Sequence, residues 1–305
     1  MIRIVRHTLQ QGIFMCVLLL SSYSAFAQSP KIVAHRAGTT DAPENTFYAI
    51  DTALKNKADA IWITAQLSKD NQLVLYRPSN LNALTDHDGT VSNYTTQELA
   101  KVNASYQFSK KNNIKLPLQQ TTIPLLESVL KKYPDVEFYI DLKSPDANPD
   151  IQAKAVLNVL NKTQSFEHTR FYSTNEKFLD TLSHYSDKIN VFESRDQTRT
   201  ILANSVMSHH CELPQKEAAN AESTRWYGFE LHRKIEVVER YTLGEARSPA
   251  TLTWDKDAID CFRKISNAHI ILFGVNNLND YQLAKDIGAD AVMVDSPQLF
   301  QKIRN

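Results

Sequence analysis

Lys31-Ile32-Val33-Ala34-His35-Arg36-Ala37-Gly38-Thr39-Thr40-Asp41-Ala42-Pro43-Glu44-Asn45-Thr46 is the stretch on which the fold turns. A short β-branched run stops on a polar pair, and after a polar turn a stretch of helical period begins. One glycine, Gly38, follows the strand, so the chain lacks the glycine-rich loop with which dinucleotide-binding sheets open. A strand-to-helix unit without that loop favours a closed parallel barrel over an open doubly wound sheet.

Working outward, short β-branched or aromatic runs alternate with stretches of helical period. Strands are expected over 31–35, 60–67, 72–77, 137–142, 170–173, 189–193, 226–231, 270–275 and 291–294. Helices are expected over 45–57, 125–132, 151–161, 176–185, 255–266, 280–286 and 298–303. This count in one chain predicts an α/β fold of the (β/α)8 TIM-barrel class. Two polar intervals break the rhythm, 79–122 and 205–223, and the first reads as a segment inserted after the third strand. The Asn and Lys cluster over 110–115 reads as solvated surface.

The first 27 residues carry Arg3 and Arg6, an apolar run over 12–20, and Ala25-Phe26-Ala27, a small-x-small cleavage pattern. They are expected to be a signal peptide, with an uncleaved anchor as the alternative. The domain is then 28–305, exported to the periplasm or secreted, without a transmembrane segment after cleavage. Cys16 inside the apolar run, followed by Val17-Leu18-Leu19-Leu20, does not resemble a lipoprotein acceptor. Cys211 and Cys261 remain in a compartment that permits disulfides; they either pair or stay free. The 34 basic residues balance 34 acidic ones, so overall charge gives no reason to expect nucleic acid or an anionic membrane as partner.

Barrel enzymes build their sites at the C-terminal ends of the strands. Here that rule selects His35 and Arg36, Thr64 and Gln66, Arg77, Asp141 and Lys143, Glu230 and His232, and Asn276 and Asp295. Arg36, Arg77 and Lys143 together make a positive well suited to a phosphate or carboxylate.

The motif His35 to Thr46 closely resembles the opening motif of the glycerophosphodiester phosphodiesterase family. Collinear matches follow: Gln66-Leu67-Ser68-Lys69-Asp70, Ile123-Pro124-Leu125-Leu126-Glu127, Asp141-Leu142-Lys143, Gly274-Val275-Asn276, and Gly288-Ala289-Asp290-Ala291 running into Asp295-Ser296-Pro297. The resemblance spans Ile32 to about Asn305 and is weakest over 174–253. It implies cleavage of glycerophosphodiesters or related lipid head groups with a divalent cation such as Ca or Mg, two histidines and basic residues around the phosphate. By resemblance His35 is the first histidine, Arg36 and Lys143 contact phosphate, Glu44 supports the loop, and Asp141 holds a metal-ligand position.

The family's paired acidic ligands fall on Trp62 and Thr64, and its second histidine falls on Arg77. An arginine cannot shuttle protons, because its pKa lies above about 12. One remaining carboxylate, Asp141, seldom holds a hard cation unaided. In the first of two readings, Arg77 takes over the metal's charge, which is similar to bacterial phosphatidylinositol-specific phospholipases C. His35 is then the base, and His87, His232 or Glu230 the acid. The second is a catalytically inactive barrel that binds a phosphodiester or other polar anion. Glu230 and Trp62 are further candidates for substrate contact; Trp62 either packs in the barrel wall or stacks on a choline or sugar group. A toxin-like phospholipase D of the same superfamily is disfavoured by the same replacements.

Overall fold

The computed structural model describes residues 29–213 and 224–303, so the expected signal peptide lies outside the described residues. The apolar runs form β1 (Lys31–Ala34), β2 (Ala60–Leu67), β3 (Leu73–Leu75), β4 (Phe138–Leu142), β5 (Thr169–Tyr172), β6 (Arg225–Glu230), β7 (His232–Tyr241), β8 (Gly244–Thr253), β9 (Ala268–Phe273) and β10 (Ala291–Val294). All eight residues of β2 are buried, the mark of a strand covered on both faces. Seven strands form a curled parallel sheet in the order β5-β4-β2-β1-β10-β9-β6.

The segment 189–193 closes the circle. Its Val191 pairs in parallel with Phe171, Phe192 N donates to Phe171 O at 2.8 Å, and Glu193 N donates to Trp226 O at 2.9 Å. Sheet and segment together have the eight-staved arrangement expected of a (β/α)8 barrel. Outside it run α1 (Phe47–Lys55), α2 (Thr96–Leu99), α3 (Tyr106–Asn112), α4 (Leu126–Lys132), α5 (Pro149–Thr163), α6 (Glu176–Tyr185), α7 (Arg195–Ser208), α8 (Lys256–Phe262), α9 (Leu278–Ile287) and α10 (Pro297–Gln301). Helix-facing side chains of the sheet and sheet-facing side chains of the helices make two outer apolar clusters. The barrel interior is filled with aromatics: Trp62 lies 5.1 Å from both Tyr172 and Phe273, and Phe192 lies 5.4 Å from Tyr139.

Three expectations need correction. The 72–77 run is not a barrel stave, because β3 pairs antiparallel with β2 in a hairpin, Leu67 opposite Leu73. Alternation of apolar residues does not distinguish parallel from antiparallel pairing; the short connection does, since parallel strands need a long crossover. The inserted segment begins there and packs Leu81, Val91, Leu99 and Val102 into a small core of its own.

The 205–223 interval begins inside a helix, α7, whose weak apolar pattern hides it. Residues 214–223 of that interval lie outside the described residues. The exposed β7–β8 hairpin has no counterpart among the expected strands. Most of its residues face solvent on both sides, so no period-2 pattern marks it. The structure also settles the cysteines, which the sequence left open: Cys211 and Cys261 are disulfide-bonded, with Cα atoms 5.5 Å apart.

Candidate active site

The chain leaves β1 through three consecutive residues in the left-handed region, Arg36 at φ 49°, Ala37 at φ 67° and Gly38 at φ 93°. Only glycine tolerates that region at little cost, so the turn needs outside support. Asn45 N donates to Arg36 O at 2.9 Å, and Thr40 N donates to Asp295 O at 2.9 Å. Asn45 Oδ1 accepts from Thr64 N at 2.9 Å, which ties the loop to β2. Thr46 caps α1, its hydroxyl accepting from Ala49 N and donating to Pro43 O. The Glu44 carboxylate accepts from the Arg36 guanidinium at 2.8 Å. The opening motif is thus a brace that holds two side chains, His35 and Arg36, at the mouth of the barrel.

His35 Nδ1 donates to Asp295 Oδ1 at 2.6 Å. A carboxylate only accepts, so Nδ1 carries the proton of this bond, and in the neutral ring Nε2 is the nitrogen able to take one. The bond from His35 holds the Asp295 carboxyl below the usual range; burial opposes this, and hydrogen bonds from Thr39 and Asn276 reinforce it. Asn276 Nδ2 donates to Asp295 Oδ2 at 2.8 Å, and Asp295 N donates to Asn276 Oδ1 at 2.8 Å, so the aspartate is locked on both sides. The sequence places Asp295 and Asn276 at strand ends, but it does not reveal this pairing.

His35 lines a cavity of about 330 Å³ together with five cations, Arg36, Arg77, Lys143, Arg195 and Arg233, and two carboxylates, Asp141 and Glu230. Most of the cations are already matched. Arg36 is held by Glu44, and Lys143 lies 3.4 Å from Asp141. Glu230 takes both a two-pronged contact from Arg195, at 2.8 and 2.7 Å, and one from Arg233 at 3.3 Å. Arg77, two residues past β3 and exposed, forms no side-chain hydrogen bond or ion pair among the described residues. The cavity therefore offers an anion the unpaired Arg77 guanidinium beside the braced Arg36, with a further positive charge in excess where Arg195 and Arg233 share Glu230.

Residues 35–299 match the profile of the Glycerophosphoryl diester phosphodiesterase family. The chain belongs to that family. It is 41% identical over 280 residues to the uncharacterized protein Rv2277c of Mycobacterium tuberculosis, covering 90% of each chain. The crystal structure of the glycerophosphoryl diester phosphodiesterase domain of that protein superposes with a TM-score of 0.79 at 38% identity, over 91% of this chain and all of that one. A Glycerophosphodiester phosphodiesterase of Bacillus subtilis is 24% identical over 89% of this chain and 85% of its own. An Oleispira antarctica phosphodiesterase solved with the product sn-glycerol-3-phosphate shares the fold, with a TM-score of 0.64 at 20% identity, over 90% of this chain and 97% of that one.

As a member of a family expected to use a divalent cation, the chain has an unsuitable donor set. Asp141 Oδ1 is buried with the Lys143 ammonium at 3.4 Å, and Thr64 Oγ1, on its register partner, is buried without a hydrogen bond. Asp141 already faces the Lys143 ammonium, and the second buried carboxylate of the mouth, Glu44, is held by Arg36. Among the described residues no three acidic, histidine or cysteine side chains converge on a common point. A hard dication needs several charged oxygens, and this cavity surrounds its one floor carboxylate with cations. Burial pushes the Asp141 carboxyl up to about 6, against the pull of Lys143, Arg36 and His35.

Trp62, which the resemblance sets at a ligand position, is 3% exposed in the floor between Tyr172 and Phe273. That placement is packing; stacking on a head group would need an open ring face. The indole does not plug the cavity, which remains open above it. The three candidate acids fare poorly. His87 is exposed, pairs with Asp86 and lies away from the cavity lining. His232 turns to Thr253 and Asp280. Glu230 is bound by two arginines. Arg195 opens α7 two residues past the expected strand 189–193, and the strand-end residues picked from the sequence do not include it.

Proposed function

We propose that this protein hydrolyses glycerophosphodiesters or related lipid head-group diesters, with arginine and lysine side chains neutralising the phosphate in place of a metal. Its membership of a family of phosphodiester hydrolases supports the reaction class. The observation that carries the reading is the His35–Asp295 pair at the edge of a cavity whose Arg77 has no counter-charge.

Arg77, Arg36 and Lys143 bind the phosphoryl oxygens, where charge builds up as the attacking oxygen approaches. His35 Nε2 takes the proton of the attacking hydroxyl as the new P–O bond forms. Asp295 keeps the ring in position and stabilises the imidazolium. The ester P–O bond breaks, and the leaving alcohol oxygen takes a proton from the fraction of Asp141 that is protonated near neutral pH. The His35 proton then leaves to solvent and Asp141 takes one up from solvent, which restores both groups. We also propose that the chain works in an oxidising compartment, the periplasm or the extracellular space. The Cys211–Cys261 bridge supports this, because such bonds persist where thiols are not kept reduced.

The test is hydrolysis of a panel of glycerophosphodiesters by wild type, His35→Ala and Arg77→Ala, each with and without chelator. Wild type is expected to keep its rate in chelator, and His35→Ala to lose about 10²–10⁴-fold. Activity abolished by chelator would overturn the metal-free mechanism. No turnover on any diester, with sn-glycerol-3-phosphate binding that depends on Arg36 and Lys143, would replace hydrolysis by the binding reading.

A further inference from the structure

A second hollow, of about 320 Å³, opens beside the cavity just described and shares Arg77, Lys143 and Thr174 with it. Lys143 Nζ donates to Thr174 Oγ1 at 3.0 Å, so a fixed ammonium stands on the divide between the two. A phosphodiester carries two ester arms that diverge from one phosphorus. With the phosphate on Arg77 and Lys143, one arm lies on the His35 side and the other enters this hollow.

We infer that the hollow seats the second ester arm of the diester and selects an uncharged alcohol over a cationic one. This rests on the hydrolase reading above. The wall is apolar on one side, from Leu142, Pro145 and Phe178. Its buried hydroxyls are already engaged. Ser144 Oγ accepts from Leu67 N at 2.9 Å and from Gln152 Nε2 at 3.0 Å, while Ser173 Oγ donates to Leu142 O and accepts from Asn175 N.

No carboxylate is among the lining residues, and Phe178, 8% exposed, is the one aromatic ring. A quaternary ammonium needs an acidic neighbour or several ring faces. Here it meets the positive end of α6, a helix of 10 residues capped by Asn175, while Arg77 and Lys143 at the entrance are taken up by the phosphate. A glycerol, inositol or alkyl group meets no such repulsion and gains contact with the apolar wall. A choline or ethanolamine group is excluded by charge.

The experiment compares kcat/KM of the full protein for glycerophosphoglycerol and glycerophosphoinositol with that for glycerophosphocholine and glycerophosphoethanolamine. The neutral-alcohol esters are expected to lead by about tenfold, since an ammonium gives up water for a wall that offers it no carboxylate and faces the positive end of α6. Ser79→Asp, on the rim of the hollow and outside the phosphate-binding set, places a carboxylate there and is expected to raise the choline-to-glycerol ratio severalfold. Equal or better turnover of the choline ester by wild type, or a ratio unmoved by Ser79→Asp, would overturn the inference and leave the hydrolase reading intact. Absence of turnover on every diester would defeat the hydrolase reading. The same four compounds then decide the hollow by their affinities, measured by calorimetry on wild type and Ser79→Asp, with the same expected order.

Discussion

Asp141→Asn is expected to make the protein more stable and less active. The carboxyl moves from its ordinary 3.8 to about 6 because burial outweighs the attraction of Lys143, Arg36 and His35. A shift of about two pKa units corresponds to about 3 kcal/mol of cost when the group ionises in the folded chain. The sign follows from proton counting. Between about pH 4 and 6 the folded state binds more protons than the unfolded state, so stability falls as pH rises through that window. The cost is absent below pH 4 and fully present above about pH 7.

Asparagine keeps the shape and removes the charge, although it also removes a counter-charge from Lys143. The net gain at pH 7.5 is therefore about 1–3 kcal/mol, or a Tm higher by about 3–10 °C for a domain of this size. Scanning calorimetry of both forms at half-unit steps from pH 4 to 8 gives the answer. The gap should open between pH 4 and 7 and stay flat above. An asparagine variant that is less stable at pH 7.5, or one whose advantage is the same at pH 4, would refute the desolvation argument. Because Asp141 also supplies a proton in the proposed reaction, kcat of the variant should fall while Tm rises, the trade expected where a buried charge serves function.

Asp295→Asn keeps the contact to His35 but removes the anionic acceptor, and kcat is expected to fall about 10²-fold or more with little change in KM; a loss confined to KM would assign Asp295 to substrate binding. The Cys211–Cys261 bridge spans a sequence separation of 50 and contributes about 4 kcal/mol in the chain-entropy picture. Cys211→Ser should lower the urea midpoint accordingly, and an unmoved midpoint would show that the bond does not constrain the unfolded chain. At Gly228 in β6, an added methyl would run into the Phe273 ring, so Gly228→Ala should cost about 1–3 kcal/mol. The double variant with Phe273→Leu should recover part of this in thermal melts, and no recovery would place the strain elsewhere.

Much of the barrel was legible because burial on both faces leaves apolar runs such as 291–294 and, broken only by Thr64 and Gln66, 60–67, whose ends the structure reproduces as Ala291–Val294 and Ala60–Leu67. The β7–β8 hairpin was not, because a strand exposed on both faces carries no periodic signal. Residues at strand ends were equally visible one by one. Which of them touch was not. His35 and Asp295 stand 260 residues apart, and Arg195 and Glu230 stand 35 apart. Closing the barrel brings each pair together.

The sequence alone determined the family, from the motif over His35 to Thr46, and placed Trp62 and Thr64 on the second strand, because residue type is a local fact. The tertiary structure decided what such residues touch. Trp62 is part of an aromatic floor, Arg77 stands beside the cavity without a counter-charge, and Lys143 neutralises the lone floor carboxylate. Charge balance and burial depend on distance through space, and distance is set only when the eight staves close.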